Sequence, residues 1–444
     1  MTGKPDGLTP DEKLSRMLET WLSPEGTKFK NPEAEEAYRQ RVKRIQDAIQ
    51  LKVPDRVPVY INTGFLPAYL AGVTPEEVMY DYGKLTAAWK NHILEFQPDT
   101  YGGSATPGPG KSYEILDYKL YLWPGHGASP NSPYQCVEAE YMTADEYDDL
   151  ISDPSDFLMR KYLPRIFGKL EPFKTLSPVD RTVEMPFTSA YLVPFGTPEV
   201  QSALKALMSA GDEAVRWREA VAACDNEIKA SGFPLFSGGY SKAPYDTLSD
   251  TLRGTRGMML DIYRQPDKII EAMERLVPLA IKMGVDAARG AGRPLVTLPL
   301  HKGADGFMSD EQFKTLYWPT LKKVILGLID EGLIPFLFAE GGYGSRLEVI
   351  KELPVGRTVW QFDFTDMAVA KKVLGRTACI VGNVPVSLLN TGTVDEVKEY
   401  CRKLIDDAGK DGGFILSSGG VLDKARPENV RVMIEFSKEY GVYS

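Results

Sequence analysis

The feature that most constrains the fold is a strand-then-helix pattern repeated five times in succession between residues 294 and 440. Each repeat is a short apolar run, followed by a helix-starting signal and an amphipathic helical stretch. The apolar runs are PLVTLPLH, IPFLFAEGG, TVWQFDF, ACIVGNV and GFILSSGG. Because these runs are too continuously apolar for a sheet with one wet face, they predict parallel strands covered by helices.

Such a series forms either an open doubly wound sheet or a closed barrel. The dinucleotide-binding version of the open sheet carries a Gly-x-Gly-x-x-Gly motif after its first strand, and no such motif follows the first predicted strand, residues 56–62. A chain of 444 residues also suits a barrel with additions. The sequence therefore predicts an α/β protein of the (β/α)8 TIM-barrel class.

Two regions depart from the repeat. Residues 1–50 contain two amphipathic stretches, DEKLSRMLETWL and PEAEEAYRQRVKRIQDAIQL, and predict an N-terminal helical extension on a barrel domain spanning residues 51–444. An insertion after an early strand is expected at about residues 100–245, with a hairpin strand at 113–123. Long insertions of this kind form lids or pocket walls at a barrel mouth. One long helix is predicted over residues 76–97.

Composition excludes several classes of function. A net charge of -9 and a pI near 5.2 disfavour a general nucleic-acid or anionic-membrane binder, because both need a basic face. No apolar run reaches the about 18 residues of a membrane span, and the N-terminus lacks a signal peptide. The four cysteines are widely spaced, which favours a reducing compartment, and the cytoplasm is the expected location. They are Cys136, Cys224, Cys379 and Cys401.

Three titratable side chains follow successive predicted strands, where a barrel places its active site. His301 follows LVTLPL, Glu340 follows PFLFA, and Asp363 lies in WQFDF. A histidine in this position suits a general base, a metal ligand or a hydrogen-bonding wall residue, and the competing interpretation is a structural histidine. The carboxylates suit proton transfer or metal binding, and the competing interpretation is helix capping.

The last predicted strand ends in two serines and two glycines, residues 417–420. Glycines in such a turn serve close backbone approach or a positive φ. The turn is therefore compatible with a plain strand-to-helix connection and with an anion site at a helix N-terminus.

Several stretches follow one another in the order of a known group of proteins. They are TLRGTRGMMLDIYRQPDKIIEAM, SDEQFKTLYWPTLKKVI, IPFLFAEG, VGNVPVSLLNTGTVDEV and FILSSGGVLDKARPENV. The chain resembles the uroporphyrinogen decarboxylase superfamily over roughly residues 50–100 and 245–440. The resemblance implies a (β/α)8 barrel and one of two activities, decarboxylation of a porphyrinogen or methyl transfer with a corrinoid protein. Relatives are often dimers, so a homodimer is also implied.

Departures from the family pattern bear on the activity. The decarboxylase carries an arginine-rich motif after its first strand, where this chain has VPVYINTGFLPAYL, with Asn62 and no arginine. Polycarboxylate binding depends on such bidentate arginines. The decarboxylase histidine of the last turn corresponds to Gly419. The zinc-binding His-x-Cys of the methyltransferases corresponds to Phe338-Ala339-Glu340, so zinc could be held only by His301, Glu340 and Asp363 and not by thiolates.

The resemblance and the residues together predict a methyltransferase that acts with a corrinoid (cobalamin) protein on a small methylated compound. The expected catalytic residues are His301, Glu340 and Asp363. The expected substrate- or cofactor-binding residues are Asn62, Tyr101, Glu184, Tyr240, Lys302, Gln361, Asn383, Ser417, Ser418 and Gly419. The alternatives are a porphyrinogen decarboxylase with an anion site of Arg181, Lys242 and Arg253, and a non-catalytic tetrapyrrole- or corrinoid-binding protein.

Overall fold

The computed structural model describes residues 7–178 and 183–443, and its core consists of eight parallel strands. The strands are β1 (Tyr60–Ile61), β2 (Thr100–Tyr101), β3 (Gly239–Tyr240), β4 (Leu295–Leu300), β5 (Ile334–Ala339), β6 (Val359–Phe362), β7 (Cys379–Val384) and β8 (Phe414–Ser418). The five repeats of the sequence supply β4 to β8. Each of their apolar runs forms the expected buried strand.

The eight strands form a closed ring. Strands β3 to β8 make one parallel sheet in chain order, and β1 pairs in parallel with β2. Two further parallel bridges complete the circle: Val59 pairs with Leu416 of β8, and Tyr101 of β2 pairs with Leu235, just before β3. The predicted (β/α)8 barrel class is therefore confirmed.

Helices surround the ring and follow the strands in sequence. The α-helices are Pro10–Leu22, Pro32–Ile49, Leu66–Leu70, Pro75–Tyr80, Tyr82–Phe96, Gly110–Leu116, Tyr147–Ser152, Pro154–Phe157, Leu163–Ile166, Thr188–Leu192, Pro198–Ala230, Pro244–Asp246, Gly254–Arg264, Pro266–Ala291, Asp310–Gln312, Trp318–Asp330, Leu347–Ile350, Met367–Leu374, Val386–Thr391, Val394–Leu404 and Pro427–Tyr440. Helical turns of π type are Leu158–Tyr162, Thr247–Leu252, Phe313–Tyr317 and Ile405–Gly409, and those of 3-10 type are Gly168–Thr175, Val193–Gly196 and Gly344–Arg346.

The two N-terminal helices close the amino end of the barrel. Trp21 and Val42 from these helices pack in one buried cluster with Phe336, Val359 and Ile415 from the strands. The amphipathic pattern of residues 1–50 thus buries its apolar face against the barrel interior. Because apolar side chains fill the barrel interior at this end, the polar inward-facing residues are found toward the opposite, carboxyl end of the strands.

The segment between β2 and β3 contains a small sheet and a long helix. The small sheet consists of Tyr121–Pro124, Gly127–Ala128 and Gln135–Cys136. The strand predicted over residues 113–123 is wrong in its first half, because Gly110–Leu116 is helical. Packing against the long helix Pro198–Ala230 decides this: the Ser112 hydroxyl donates to the carbonyl of Ala210 at 3.0 Å.

The single helix predicted over residues 76–97 is also wrong, since the structure divides it into two. Asp81 ends the first helix and caps the second, because its carboxylate accepts a hydrogen bond from the Lys84 amide at 3.0 Å. An aspartate inside a helical pattern competes in this way for backbone donors. Across residues 7–178 and 183–443, no helix combines the length and apolar composition needed to cross a membrane.

Candidate active site

The inward-facing side chains of the strands change from apolar to polar toward the carboxyl end. Side chains alternate along a strand, and the apolar layer at the amino end fixes which ones face inward. The next inward-facing position on each strand lies two residues beyond this apolar layer. These positions, here called the floor set, are Asn62, Thr297, Phe338, Gln361, Asn383 and Ser417. Later inward positions are Tyr240, His301, Glu340, Asp363 and Gly419, here called the mouth set. Most of the sequence-predicted residues therefore belong to one continuous surface.

His301 forms a hydrogen-bonded pair with Asp250, a carboxylate in the helical turn after β3. Its Nδ1 lies 2.6 Å from Asp250 Oδ2. Its Nε2 lies 3.6 Å from Glu340 Oε1, across the mouth. The hydrogen bond to Asp250 orients the ring, so the Nε2 atom is the one available to a ligand.

A second carboxylate, Asp246, supports this pair from beneath. Its oxygens accept hydrogen bonds from the backbone amides of His301 and Lys302, at 3.2 and 3.1 Å, and from the Tyr317 hydroxyl at 2.8 Å. Asp246 is fully buried. It therefore fixes the backbone that carries His301 and does not itself reach the mouth.

Asp246 and Asp250 were not predicted from the sequence. They lie four residues apart in the helical turns Pro244–Asp246 and Thr247–Leu252. This spacing places both carboxylates on one face of a helix. The signal was available in the stretch YDTLSD, but nothing in the sequence connects that face to His301.

The neighbours of His301 raise its pKa. Burial alone would lower the pKa of His301, but the hydrogen bond and charge of Asp250, with the charges of Glu340 and Asp246, raise that pKa above its usual value. Burial also opposes ionisation of Asp250, yet His301 and Lys242 hold the pKa of Asp250 below its usual value. Burial, together with the charge of Asp250, raises the pKa of Asp246 to about 6.

Glu340 and Asp363 are carboxyl groups that hold protons more tightly than usual. Burial raises the pKa of Glu340, and the charges of Asp363 and Asp250 add to this effect while His301 opposes it. Burial likewise raises the pKa of Asp363, whose carboxylate accepts a 3.3 Å hydrogen bond from the Gly341 amide. Asp363 is held in place by Asn383, whose Nδ2 donates to the Asp363 carbonyl at 3.0 Å.

The last turn passes close to this carboxylate. A Cβ atom added at Gly419 would lie 3.0 Å from the Asp363 carbonyl oxygen and 3.3 Å from Asp363 Oδ1. Glycine thus allows the turn to approach Asp363 without displacing it. The two-serine, two-glycine turn therefore leaves the space beside Asp363 free of a side chain.

The two lysines at the mouth are both engaged in ion pairs. Lys242 Nζ lies 3.0 Å from Asp250 Oδ2, and Lys302 Nζ lies 3.6 Å from Asp250 Oδ1 and 3.7 Å from Glu138. Arg253 is buried against Asp261, with its Nε 2.6 Å from that carboxylate. The anion site suggested for Arg181, Lys242 and Arg253 is therefore not formed by the two described members, and Arg181 lies outside the described residues.

The floor set has polar atoms without partners. Gln361 Nε2 donates to the Ser418 carbonyl at 3.1 Å, which fixes the amide so that its Oε1 points the other way. This Oε1 atom and the Ser417 hydroxyl are buried and have no hydrogen-bond partner in the structure. Buried polar atoms are usually paired, so these two atoms are suited to meet a ligand.

Four of the predicted site residues belong to neither the floor set nor the mouth set. The Tyr101 hydroxyl donates to Asp225 of the helix Pro198–Ala230 at 3.2 Å, so Tyr101 faces the surrounding helices, one position out of register with the interior. Glu184 is exposed in the insertion and is not on a strand. The Ser418 hydroxyl donates to the Gly420 carbonyl at 2.7 Å, and Lys302 lies at the rim beside Thr255.

The donor set does not fit a metal. Within the part of the chain that the structure describes, no three His, Cys, Asp or Glu side chains are grouped so that they could hold a metal ion. His301 is instead bound to Asp250, and Asp363 to the Gly341 amide. These residues therefore do not form the zinc site considered for His301, Glu340 and Asp363.

Changing Tyr317 to phenylalanine is expected to lower the free energy of unfolding by about 1–3 kcal/mol at pH 8, because it removes a donor from the buried, ionised Asp246. Since the folded-state pKa of Asp246 is about 6, the effect should shrink at pH 5, where Asp246 is largely neutral. Urea unfolding at both pH values measures this. Tyr263→Phe, at an exposed tyrosine, is the matched control. An equal loss at both pH values would contradict the charge explanation.

Comparison with known proteins agrees with this architecture, which is that of an α/β barrel enzyme with its polar residues at the strand ends. A family model described as uroporphyrinogen decarboxylase (URO-D) matches residues 197–440, more than half of the chain. The protein belongs to the uroporphyrinogen decarboxylase family.

Individual relatives are more distant. A uroporphyrinogen decarboxylase of Syntrophotalea carbinolica is 23% identical over 176 residues, which are 39% of this chain and 49% of the relative. The match thus spans about half the length of that curated relative. A solved methyltransferase from Methanosarcina mazei has a TM-score of 0.59 at 16% identity, and the similarity covers 90% of this chain and 98% of that one. This likeness shows a shared fold.

Proposed function

We propose that this protein is a methyltransferase that moves a methyl group between a small methylated compound and the corrinoid (cobalamin) of a separate protein. The observation that carries the proposal is the His301–Asp250 pair facing Glu340, with 3.6 Å between His301 Nε2 and Glu340 Oε1 at the barrel mouth. The likeness in fold to a methyltransferase, over 90% of this chain, supports it.

Methyl transfer from a heteroatom requires control of a proton. An oxygen, nitrogen or sulfur that loses a methyl group leaves most easily as a neutral species, and one that gains a methyl group must lose its proton. The corrinoid supplies the cobalt that accepts or donates the methyl group. The protein's own contribution is therefore to bind the small compound and to hold a proton beside its heteroatom.

The mouth residues are suited to this proton transfer. Glu340 keeps its proton to a higher pH than an ordinary carboxyl group, and His301 stays protonated to a higher pH than an ordinary imidazole. Either group can donate a proton to a leaving heteroatom in the space between them. Asp250 orients His301 and balances its charge, and Asp246 holds the backbone in position.

Decarboxylation of a porphyrinogen is the second candidate, favoured by the name of the Syntrophotalea carbinolica relative. The charges at the mouth oppose it. Lys242 and Lys302 are paired with Asp250, while Glu340 and Asp363 add negative charge. A substrate with several carboxylates would meet like charges here, and like charges at close range are unfavourable.

The test is an anaerobic assay of the purified protein with cob(I)alamin and separate O-, N- and S-methyl compounds, followed by the corrinoid absorbance. We expect methylation of the corrinoid by one class of donor. Glu340→Gln should lower the rate by about 10–100-fold, because glutamine cannot donate the same proton. Glu348→Gln, at an exposed glutamate paired with Lys351, is the matched control and should leave the rate unchanged.

Two other outcomes would replace the proposal. Conversion of uroporphyrinogen without methyl transfer would establish the decarboxylase. Saturable corrinoid binding with no turnover of any methyl donor would establish a binding protein. An unchanged rate in Glu340→Gln, with methyl transfer intact, would remove Glu340 from the mechanism.

A further inference from the structure

The cations of the mouth are unevenly distributed among its carboxylates. Asp250 is close to His301, Lys242 and Lys302, so these three positive groups share one carboxylate. Among the described residues, Glu340 forms one ion pair, with His301 at 3.6 Å, and the Asp363 carboxylate accepts a hydrogen bond from the neutral Gly341 amide. Glu340, with His301 as its one ion-pair partner among the described residues, and Asp363, whose carboxylate is paired with a neutral amide, are here called the negative face.

The floor beneath this face offers acceptor and hydroxyl groups. Gln361 and Ser417 are both 0% exposed, and their Oε1 and Oγ atoms are unpartnered. Gln361 is in β6, two residues before Asp363, which follows the end of that strand, so the alternation of side chains turns both toward the same side. Because its Nε2 is bound to the Ser418 carbonyl and its Oε1 has no partner, the Gln361 amide offers this oxygen to a ligand as a hydrogen-bond acceptor.

Aromatic rings stand beside the negative face. Phe338 precedes Glu340 by two residues on the inward side of β5. Tyr240 is 47% exposed at the end of β3, and its hydroxyl is close enough to Asp250, Asp246 and Glu340 that burial and these charges raise its pKa to about 12. Aromatic faces beside carboxylates are the usual surroundings of bound methylated ammonium groups.

We infer that the mouth binds a small methylated ammonium compound that carries an O–H or N–H donor at its other end. The ammonium group lies among Glu340, Asp363 and Tyr240, and the donor reaches Gln361 Oε1. This inference rests on the proposed function and names the class of methylated compound. A quaternary ammonium nitrogen leaves as a neutral amine when it loses a methyl group, so with this class Glu340 and Asp363 hold the cation and no proton passes to the nitrogen.

The dimensions agree with a small compound. Two residues along a strand span roughly 7 Å, which is the separation of the Gln361 and Asp363 positions. An ammonium centre joined by two carbons to a hydroxyl, with one hydrogen bond beyond it, covers a similar length. A methylated ammonium held this way would keep a methyl group at the mouth, where a partner protein can approach.

The experiment is calorimetric titration of the wild-type protein with three probes. Choline carries both the ammonium and the hydroxyl, propyltrimethylammonium lacks the hydroxyl, and 3,3-dimethyl-1-butanol is the uncharged carbon analogue of choline. We expect choline to bind at least about tenfold more tightly than the uncharged analogue, the factor that corresponds to about 1.4 kcal/mol. Propyltrimethylammonium should fall between them.

Variants locate the two ends of the probe. Gln361→Met should weaken choline to the level of propyltrimethylammonium and leave the latter unchanged, because only choline uses the acceptor. Asp363→Asn should weaken both cations and leave 3,3-dimethyl-1-butanol unchanged. Glu348→Gln should change none of the three affinities. Near-ultraviolet circular dichroism establishes that each variant is folded, and the wild-type comparison does not depend on any variant.

Equal or tighter binding of the uncharged analogue, or no saturable binding of choline, would overturn the inference. The outcomes distinguish a failure of this inference from a failure of the proposed function. Ammonium binding without methyl transfer would support this site and refute the transferase. Methyl transfer from a neutral methyl ether, by a protein that binds none of the cations, would support the transferase and refute this site.

Discussion

Replacing Asp99 by asparagine is expected to lower the free energy of unfolding by about 3–5 kcal/mol. The buried Asp99 carboxylate accepts hydrogen bonds from Arg44 at 2.8 Å, from both terminal nitrogens of Arg56 at 2.7 Å, and from the Val59 amide at 2.9 Å. Asparagine keeps the shape but removes the charge. Arg44 would then keep only its exposed partner Asp55, and Arg56 would lose its buried counter-charge, at the junction of the N-terminal helices and the barrel.

The effect should depend on pH in a defined direction. Burial opposes ionisation of Asp99, but Arg56 and Arg44 outweigh it and hold its pKa below the usual 3.8. A lowered folded-state pKa contributes stability that is complete above the unfolded value and is lost as the pH falls through the folded value. Urea unfolding at neutral pH should therefore show the full difference between wild type and Asp99→Asn.

The control is Asp286→Asn, which breaks an exposed pair with Lys282 on a helix surface. Exposed pairs contribute about 0–1 kcal/mol, so this variant should unfold almost like the wild type. A similar small loss in Asp99→Asn would show that the arginines find other partners. It would also contradict the view that this cluster fastens the N-terminal helices to the barrel.

The barrel could be predicted because its signal is local. Each of the five repeats buries a strand on both faces, and that requirement leaves a continuous apolar run in the sequence. The inward-facing residues at the strand ends, such as Glu340 and Asp363, follow from the same runs because side chains alternate along a strand. Tyr101 shows the limit of this reasoning, since an error of one position turns a side chain from the interior to the surrounding helices.

The electrostatic setting of the site could not be predicted, because it depends on contacts between distant parts of the chain. Asp250 meets His301 across 51 residues, and Asp99 meets Arg44 across 55. Asp99 looks in sequence like a strand-end site residue, yet it precedes β2 and lies at the closed amino end of the barrel. Local patterns place a residue on an element, but only the closure of the ring decides which charges become neighbours.

Replacing Asp250 by asparagine is expected to lower the rate of the proposed methyl transfer by about 10²–10⁴-fold. Asp250 orients the His301 ring and stabilises its protonated form through the 2.6 Å contact to Nδ1. Asparagine removes that charge, and Lys242, now without its 3.0 Å partner, adds repulsion. The pKa of His301 should therefore fall, so that the imidazolium is lost at a lower pH than in the wild type.

Two measurements follow this change directly. The alkaline limb of the rate profile should move to lower pH if His301 supplies the proton. Nuclear magnetic resonance should show the same shift in the His301 ring signals, which stand among those of only three histidines. Burial lowers the pKa of His92 to about 4, so its ring stays neutral near pH 7 and serves as an internal reference.

Asp286→Asn again provides the control and should leave both the rate and the His301 titration unchanged. His301→Asn should remove the part of the alkaline limb that follows the imidazole, and any limb that remains belongs to Glu340, the other proton donor at the mouth. A fall in rate without a shift in the His301 titration would assign Asp250 a purely structural part. A lower rate together with a lower His301 pKa would instead show that the charge of Asp250 acts by keeping His301 protonated. This is the role expected from the 2.6 Å contact between the two side chains.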